Sequence, residues 1–302
     1  MVNDIDLIDE YKVKMHKFVT SLFPDNIRYA VANYLGAYSD ISEIRIRCDK
    51  PLAFTLRASN LITGLTIDRD ALSFILNKMT DGNFYKNEEM MKCGFLSLPY
   101  SIRVGVAGDV FVSGGAIKFI KNVCYLNIRI PNTLLINVDE VVEYIKNKSF
   151  NTSILVIGAP CSGKTTLLRS LCKQLSDPPY NKRVSAIDTN KELVLPSFLS
   201  STSCEYLTSY PKMEGIRTVI RYFNPEYAIC DELCGSIESD VLKELHHSGV
   251  PIIASAHCDS FSSLKTRTDL SFLINNGIFD TVLCVKMVER SYKFEIKGCF
   301  EI

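Results

Sequence analysis

The hydrophobic pattern divides the chain into two halves of different character. From about residue 150 onward, short apolar runs alternate with stretches in which apolar side chains recur at helical spacing. This alternation predicts parallel strands joined by helices, because a strand that is buried on both faces is continuously apolar. A closing antiparallel hairpin is also predicted, with its turn near Glu289 and Arg290. The predicted strands cover residues 153–157, 183–188, 227–231, 251–255, 281–288 and 292–296.

The first half of the chain mixes helices and shorter strands. Residues 11–38 have the pattern of amphipathic helices interrupted at Pro24. Asp68 is a suitable N-cap for a helix that runs through Met79. Residues 41–47 alternate between apolar and charged side chains, which predicts a strand with one charged face. Further strands are predicted at 95–98, 103–107 and 124–130.

These patterns predict two domains in the 302 residues, because single hydrophobic cores rarely grow much beyond about 250 residues. We place an α+β domain at residues 1–149 and an α/β domain at residues 150–302. The linker is expected between Pro131 and Asn151, with a helix over residues 139–146 inside it.

The composition gives no indication of a nucleic-acid or membrane partner. Lysine plus arginine and aspartate plus glutamate both total 34, so the formal net charge is zero. A balanced charge does not attract the chain to polyanions. No apolar run is long enough for a membrane span, and the first thirty residues lack a signal-peptide core. We therefore expect a cytoplasmic protein that does not span a membrane and does not bind nucleic acid.

The eleven cysteines are scattered, and none forms a Cys-x-x-Cys pair. They are best interpreted as reduced, mostly buried thiols that pack as small apolar side chains, with Cys172, Cys230 and Cys284 lying inside apolar runs. A zinc site is the alternative. Its candidate ligands are Cys230, Cys234, His246, His247, His257 and Cys258.

One motif carries most of the chemical information. Residues 154–166 read ILVIGAPCSGKTT, a buried strand that runs into a Gly-x-x-x-x-Gly-Lys-Thr loop and then into a helix. In this context successive backbone N–H groups and the helix N-terminus face a triphosphate. Lys164 would reach the β- and γ-phosphates, and the Thr165 hydroxyl would bind Mg²⁺. The expected ligands are ATP and Mg²⁺, held by Gly158, Ala159, Pro160, Cys161, Ser162, Gly163, Lys164, Thr165 and Thr166.

Cys161 lies inside this loop and has two interpretations. A helix N-terminus lowers the pKa of a thiol, so oxidation of Cys161 could inactivate the site. Alternatively, Cys161 is a small residue that the loop tolerates.

Hydrolysis also needs a carboxylate that holds the metal and a group that orients water. The apolar run at 227–230 ends in Asp231 and Glu232. Asp231 is the expected Mg²⁺-linked acid and Glu232 the expected general base, provided that the strand ends there, because adjacent positions on a strand point to opposite faces. A turn is predicted at 233–235. The alternative is an exposed acidic loop after a core strand.

Polar residues end two other predicted strands. His257 follows the apolar run 252–256 and would lie beside the γ-phosphate, where it could sense whether ATP or ADP is bound. Asp188 ends the strand at 183–188 and is followed by Glu192. Asp188 would either help to order the catalytic acids or cap a helix.

A second positive charge is expected near the phosphates, since an added arginine can raise the rate of phosphoryl transfer by about 10³ to 10⁵. Arg217 and Arg221 lie four residues apart on a predicted helix and therefore share a face. In the first half, Arg103 and Arg129 lie on predicted strands and are candidate nucleotide ligands, as are Arg45 and Arg47.

With these residues in view, the chain resembles the stage III sporulation protein AA family of endospore-forming bacteria, which is related to the RecA-like ATPases of type II and type IV secretion systems. The resemblance covers about residues 40–290. It rests on GAPCSGKTTLLR at 158–169, IRTVIRYFNPEYAICDE at 216–232, GVPIIASAHC at 249–258, SEIRIRCDKPL at 42–52, GFLSLPYSIRVGVAGD at 94–109 and LNIRI at 126–130.

The resemblance implies a RecA-like P-loop core, with a mainly parallel sheet and helices on both faces, preceded by a smaller α+β domain. It further implies an ATPase that forms a homo-oligomeric ring, expected to be a hexamer, with nucleotide held between the domains. The ring would dock on channel proteins at the cytoplasmic face of a membrane. One segment departs from the family, which usually has Asp-Glu-Arg-x-Glu where this chain has Asp-Thr-Asn-Lys-Glu at 188–192.

Two other functions remain open at the level of sequence. A nucleotide-dependent switch with little turnover is compatible with the altered segment at 188–192. A nucleic-acid-stimulated translocase is the other alternative, because related ATPase domains occur fused to nucleic-acid-binding modules.

Overall fold

The computed structural model describes residues 4–56, 59–83, 87–131, 133–194, 202–233, 238–288 and 291–301 of the 302-residue chain. The chain divides into two compact units, Met1–Thr133 and Leu134–Ile302. Within the described ranges, no helix is both long and apolar enough to cross a bilayer.

The first unit contains a six-stranded antiparallel sheet in the order β3-β2-β1-β6-β5-β4, together with helices. Its helices are α1 (Asp4–Ser21), α2 (Asp25–Ala37), α3 (Arg69–Met79) and α4 (Glu88–Lys92). Its strands are β1 (Ile41–Arg47), β2 (Lys50–Leu56), β3 (Asn60–Ile67), β4 (Phe95–Leu98), β5 (Ile102–Ser113) and β6 (Ala116–Arg129).

Side-chain alternation separates the two faces of this sheet. Ile44 and Ile46 on β1 are buried, and so are their neighbours Leu126 and Ile128 on β6. The residues between them, including Arg45, belong to the opposite face, which keeps the charged side chains of the strands out of the core.

Local signals place α2 and α3 as predicted, whereas α1 begins earlier than predicted, at Asp4, and α4 was not predicted. The helical stretch is divided at Pro24, and the Asp68 carboxylate accepts a hydrogen bond from the backbone N–H of Ala71 at 2.8 Å. β5 and β6 are longer than predicted because their pairing continues beyond an irregularity between Ala107 and Asp109. β2 and β3 were not predicted, since their periodicity is weak and depends on pairing with β1 and with each other.

The second unit is a seven-stranded sheet in the order β13-β12-β7-β11-β10-β8-β9. The strands β7 to β12 run parallel to their neighbours, and β13 is antiparallel to β12. The strands are β7 (Ile154–Gly158), β8 (Val184–Asp188), β9 (Glu205–Thr208), β10 (Tyr227–Cys230), β11 (Ile252–His257), β12 (Thr281–Val288) and β13 (Ser291–Gly298). The helices are α5 (Asp139–Asn147), α6 (Lys164–Ser176), α7 (Lys212–Tyr222), α8 (Ser239–His247), α9 (Phe261–Thr266) and α10 (Thr268–Asn275).

Both faces of this second sheet are covered, as the fully apolar strands predicted. Leu155 and Ile157 on β7 belong to a core cluster that includes residues of α7 and α8. Ile154 and Val156, which alternate with them, belong to a second cluster that includes residues of α5 and α6. The predicted α/β class with helices on both faces of a mainly parallel sheet is therefore confirmed. β9 is an additional strand, and the predicted turn at Glu289 and Arg290 lies outside the described residues.

The division between the units falls after Thr133, whereas the sequence pattern placed it between 149 and 150. The reason is α5, which the prediction assigned to the linker. Val141, Val142 and Ile145 on this helix are fully buried in the same core cluster as Leu168 of α6. The helix therefore belongs to the core of the second unit.

Replacing Ile145 with alanine should lower the free energy of unfolding of the second unit by about 2–5 kcal/mol, because a buried aliphatic side chain is lost from a packed core. Chemical denaturation measures the change. Glu143→Ala on the exposed side of the same helix is the matched control and should change stability by no more than about 0.5 kcal/mol. Equal effects of the two substitutions would contradict the packing of α5.

Candidate nucleotide-binding site

The loop between β7 and α6 has the backbone conformation of an anion-binding nest. Cys161 and Gly163 both have positive φ angles, of 60° and 104°, and the Ser162 N–H donates to the Ala159 carbonyl at 3.1 Å. Alternation of these conformations turns successive N–H groups to one side of the loop. Ala159, Pro160 and Cys161 are exposed, whereas Ser162 and Thr166 are buried.

Two glycines of the loop are required by close contacts. A β-carbon at Gly158 would lie 2.6 Å from the backbone oxygen of Val285 on β12. At Gly163 a β-carbon would lie 2.9 Å from Cδ1 of Tyr292 on β13 and nearer still to its Cε1 atom, in addition to the unfavourable positive φ. The loop is thus held against the β12–β13 side of the sheet at both ends.

Lys164 is buried at the first position of α6, where its ammonium group turns back along the loop. Its Nζ atom donates to the carbonyl oxygens of Gly158 at 2.8 Å and Ala159 at 2.9 Å. Burial lowers the pKa of Lys164, and the nearby Asp231 carboxylate opposes this shift. Lys164 therefore lies inside the curve of the loop, where its ammonium group can contact an anion that is bound by the loop N–H groups.

The Asp231 carboxylate connects three elements at one edge of the sheet. Its Oδ2 atom accepts a hydrogen bond from the Thr165 hydroxyl of α6 at 2.7 Å. Its Oδ1 atom accepts from the hydroxyl of Ser255, which is fully buried on β11. The carboxyl ends of parallel strands meet at the same sheet edge, and this brings the residue after β10 to the start of α6.

Glu232 turns toward the same edge because β10 ends before it, at Cys230. Its φ angle is 56°, and its backbone N–H donates to the Ser255 hydroxyl at 2.9 Å. Its Oε1 atom lies 3.0 Å from Nε2 of His257, whose Nδ1 atom lies 3.4 Å from Nζ of Lys164. A continuous set of contacts therefore joins Lys164, His257 and Glu232.

The residues present fit a phosphate group with a magnesium ion. The adjacent Thr165 and Asp231 supply a hydroxyl and a carboxylate, which are the oxygen ligands that Mg²⁺ prefers. The hydroxyl of Ser162 is buried within the loop and has no hydrogen-bond partner among the described residues. A buried hydroxyl without a partner is costly, and an anion in the loop would satisfy it.

The structure does not bring Arg217 and Arg221 to this edge. α7 begins near Glu232 and runs away from it, so Arg217 and Arg221 lie roughly 7 and 13 Å farther along the helix axis than Lys212. Arg217 pairs with Glu214 at 3.2 Å and Glu244 at 3.7 Å, whereas Arg221 is exposed.

α7 places a different cation, Lys212, next to Glu232, and this residue was not predicted from the sequence. Its Nζ atom donates to the carbonyl oxygen of Glu232 and lies 3.8 Å from the carboxylate of the buried Glu238. Ser255 and Arg267 were also missed. Arg267 donates to the carbonyl of His257 at 2.9 Å and pairs with Asp269 at 2.7 Å. No short motif marks these residues, because each is separated in sequence from the group that it contacts.

Asp188 has a structural role, because its carboxylate holds the backbone of the loop that follows β8. Its carboxylate accepts hydrogen bonds from the backbone N–H groups of Glu192, Leu193 and Val194 at 2.8–3.0 Å. Burial raises the pKa of Asp188, and these N–H groups oppose the shift. Buried Arg169 holds the same segment through the carbonyl oxygens of Glu192 and Leu193, as well as that of Leu134. Asp188 thus shapes the loop that follows β8.

The described cysteines are free thiols, and Cys172, Cys230 and Cys284 are buried as predicted. Among the described residues, no group of three or more His, Cys, Asp and Glu side chains is arranged to hold a metal ion. Cys234, a candidate in the zinc alternative, and the predicted turn at 233–235 beyond Leu233 lie outside the described residues.

In the first unit, the candidate arginines lie on one face of the sheet. Arg103 on β5 is directly opposite Arg129 on β6, and Glu43 on β1 is opposite Arg129 from the other side. Arg45 is two positions from Glu43, pairs with it at 2.6 Å, and shares its face, as does Arg47. Like charges directly opposite each other are unfavourable in a sheet.

Comparison with solved structures identifies the fold. An X-ray structure of the ATPase DotB from Yersinia pseudotuberculosis aligns over 92% of this chain and 80% of that chain, with a TM-score of 0.61 and 13% identity. A crystal structure of the pilus retraction motor PilT with bound ADP aligns over 85% of this chain and 79% of that chain, with a TM-score of 0.58 and 11% identity. At these identities the similarity concerns the fold alone, and it confirms the RecA-like P-loop core.

Sequence comparison extends over nearly the whole chain. The stage III sporulation protein AA of Bacillus subtilis (strain 168) is 30% identical over 275 residues, which cover 88% of this chain and 89% of that protein. The family model for sporulation stage III, protein AA, matches residues 13–301 and so includes both units. The resemblance drawn from the motifs is confirmed: the chain belongs to the sporulation stage III protein AA family.

Proposed function

We propose that the chain is a magnesium-dependent ATP hydrolase that works as a homo-oligomeric ring at the cytoplasmic face of a sporulation-associated, secretion-like membrane channel. The observation that carries this proposal is the hydrogen bond of 2.7 Å between Thr165 and Asp231. It joins the end of the phosphate loop to the acid that follows β10. A hydroxyl and a carboxylate at this position are the pair of oxygen ligands that a magnesium–nucleotide complex requires.

Binding would begin at the loop. The N–H groups of residues 159–165 and the N-terminus of α6 would hold the phosphates, and Lys164 would exchange its two carbonyl contacts for phosphate oxygens. The desolvated ammonium group of Lys164 favours this exchange, since a buried cation gains more from an anion than a solvated one. Bound Mg²⁺ would neutralise charge that develops on the phosphate oxygens.

Glu232 would orient the attacking water and accept its proton at a carboxylate oxygen. Ser255 and Lys212 fix the backbone of Glu232 on both sides, at its N–H and at its carbonyl oxygen. His257 contacts both Glu232 and Lys164. A movement of Lys164 on nucleotide binding can therefore be transmitted to Glu232 through the His257 side chain.

Assembly would complete the site. Arg217 and Arg221 lie too far along α7 to serve their own site. We assign them, together with Arg103 and Arg129 of the first unit, as candidate contributors of positive charge at a subunit interface. Membership in the sporulation family, and the fold shared with the ATPase DotB and a pilus retraction motor, support the proposed coupling of ATP turnover to work on channel proteins.

A nucleotide-dependent switch with little turnover is the second candidate. It is favoured by the role of Asp188, which is buried and fully engaged in folding the divergent loop and so is not available to the metal. In this alternative, binding alone would change the conformation. A nucleic-acid-stimulated translocase would instead show hydrolysis that rises strongly with DNA or RNA and falls with added salt.

Glu232→Gln should lower kcat for ATP hydrolysis by about 10²- to 10⁴-fold while ATP binding is retained, because the amide cannot accept a proton. Steady-state phosphate release and equilibrium ATP binding measure the two effects. Glu226→Gln, just before the opposite end of β10, is the matched control and should behave as wild type. If wild type and Glu232→Gln both bind ATP without detectable turnover, the switch replaces the hydrolase.

Turnover per chain should rise steeply with protein concentration, since each site is complete only in the assembly. Phosphate release over a dilution series, combined with light scattering with and without ATP·Mg²⁺, tests this expectation. Lys164→Ala, which removes the phosphate-binding cation, should not show nucleotide-dependent assembly. A constant turnover per chain down to the dilute monomer would rule out the ring as a requirement for hydrolysis.

Ser255→Ala should reduce turnover more than it reduces ATP binding. It leaves the Glu232 N–H and one Asp231 oxygen without their partner, and a buried unsatisfied group costs about 1–3 kcal/mol. Thermal unfolding and steady-state kinetics measure the result. Ser185→Ala is the matched control, since it also removes a buried serine–carboxylate bond, to Glu205 at 2.7 Å, from the same sheet. Equal loss of turnover in both variants would indicate a purely structural effect.

A further inference from the structure

The aromatic ring of Tyr292 lies directly against the phosphate loop. It comes from β13, the edge strand, and three of its ring atoms surround the position that a β-carbon would occupy at Gly163, with Cδ1 at 2.9 Å and Cζ at 3.3 Å. Only glycine permits this approach. The contact therefore brings a flat, half-buried aromatic surface beside the residue that precedes Lys164.

The strand register places Tyr292 at the level of the loop. Val285 on β12 is beside Gly158, where β7 ends, and Tyr292 pairs with Met287 on β12. Met287 is two positions beyond Val285, so Tyr292 lies about 7 Å beyond the end of β7 on the side where the phosphates would bind.

The order of the strands indicates how a bound nucleotide would be oriented along the loop. β11 and β10 lie on one side of β7; His257 ends β11, and Asp231 and Glu232 directly follow β10. The metal-bound, terminal phosphate would therefore lie on that side. β12 and β13 lie on the other side. A triphosphate held along the loop with its terminal end toward Glu232 must leave the loop with its nucleoside end toward β12 and β13, where Tyr292 lies.

Tyr292 is held in place by its own strand. Tyr292, Phe294 and Ile296 alternate with exposed residues and pack on the core cluster that contains Val285 and Leu283. Such a ring loses little conformational freedom on binding a ligand, because packing has already fixed it. Phe294 shares this packing and this face but is not among the atoms nearest Gly163.

We propose that Tyr292 is the stacking platform for the base of the nucleotide, so that the site recognises the aromatic face of a nucleobase. The ligand class is a nucleoside di- or triphosphate, and an inorganic polyphosphate would lack this contact. The proposal rests on the nucleotide binding proposed above and adds the residue that distinguishes a nucleotide from its phosphates. Recognition of a base face is tolerant of base identity, since every base presents a π surface.

The test compares binding of ATP, ADP and inorganic tripolyphosphate, each with Mg²⁺, by isothermal calorimetry on the full chain. Tyr292→Leu keeps an apolar side chain on the core but has no aromatic face, and Tyr292→Phe keeps the face without the hydroxyl. Tyr292→Leu should raise the Kd for ATP and ADP by about five- to hundredfold and leave the Kd for tripolyphosphate unchanged. Tyr292→Phe should bind all three ligands as wild type does.

Phe294→Leu is the matched control, because it removes a ring from the same strand face and core cluster, and it should leave the ratio of ATP to tripolyphosphate affinity unchanged. A Tyr292→Leu variant that loses affinity for tripolyphosphate and ATP by the same factor would overturn the proposal, since the ring would then only support the loop. Unchanged affinity for ATP would overturn it as well. Wild-type protein that binds neither ATP nor tripolyphosphate would instead overturn the proposed nucleotide binding itself.

Discussion

The carboxylate of Asp231 accepts hydrogen bonds from two hydroxyls that reach it from different elements, Thr165 at the start of α6 and Ser255 on β11. These two contacts tie the residue that follows β10 to the start of α6 and to β11, at one edge of the second sheet. Because the strands are parallel and fully buried, their carboxyl ends are fixed relative to each other by the core beneath them. The positions of Lys164, Glu232 and His257 all depend on this constraint.

Rigid strands and short connections explain how so few residues organise the site. Glu232 would point away from the edge if β10 continued, but its positive φ angle and its hydrogen bond to Ser255 turn it back toward His257. Lys212 holds the carbonyl oxygen of the same residue. The base proposed for hydrolysis is therefore restrained by side chains on β11 and α7, and its geometry depends on how these elements pack.

In the first unit, several arginines lie on one face of the sheet. Its sheet has an apolar face that forms the core and a face on which Arg103 lies opposite Arg129, with Arg45 and Arg47 on β1 on the same face. The carboxylate of Glu43 lies opposite Arg129 and pairs with Arg45. Like charges directly opposite each other are unfavourable in a sheet, and an anion on this face would reduce the repulsion between Arg103 and Arg129. This supports the proposal that the face contributes to binding of a phosphorylated ligand.

The sequence by itself determined the elements whose signals are local. Some predicted elements depend only on neighbouring residues and were predicted correctly: the strand–loop–helix unit at 154–176, the apolar strands of the second unit, the interruption at Pro24 and the cap at Asp68. The same local motifs were sufficient to identify the family, which the match over residues 13–301 confirms. Asp231 and Glu232 could be selected as a pair because they follow an apolar run.

Only the tertiary structure decided which side chains meet. Asp188 and Asp231 both end buried strands and look equivalent in sequence, yet one folds its own loop and the other contacts Thr165. Ser255, Lys212 and Tyr292 reach the loop or its neighbouring acids from distant parts of the chain, and no spacing rule connects them. The helix α5 joined the second unit for the same reason, since its apolar face is satisfied by α6. Contacts between residues far apart in sequence are set by strand order and packing, which local patterns do not encode.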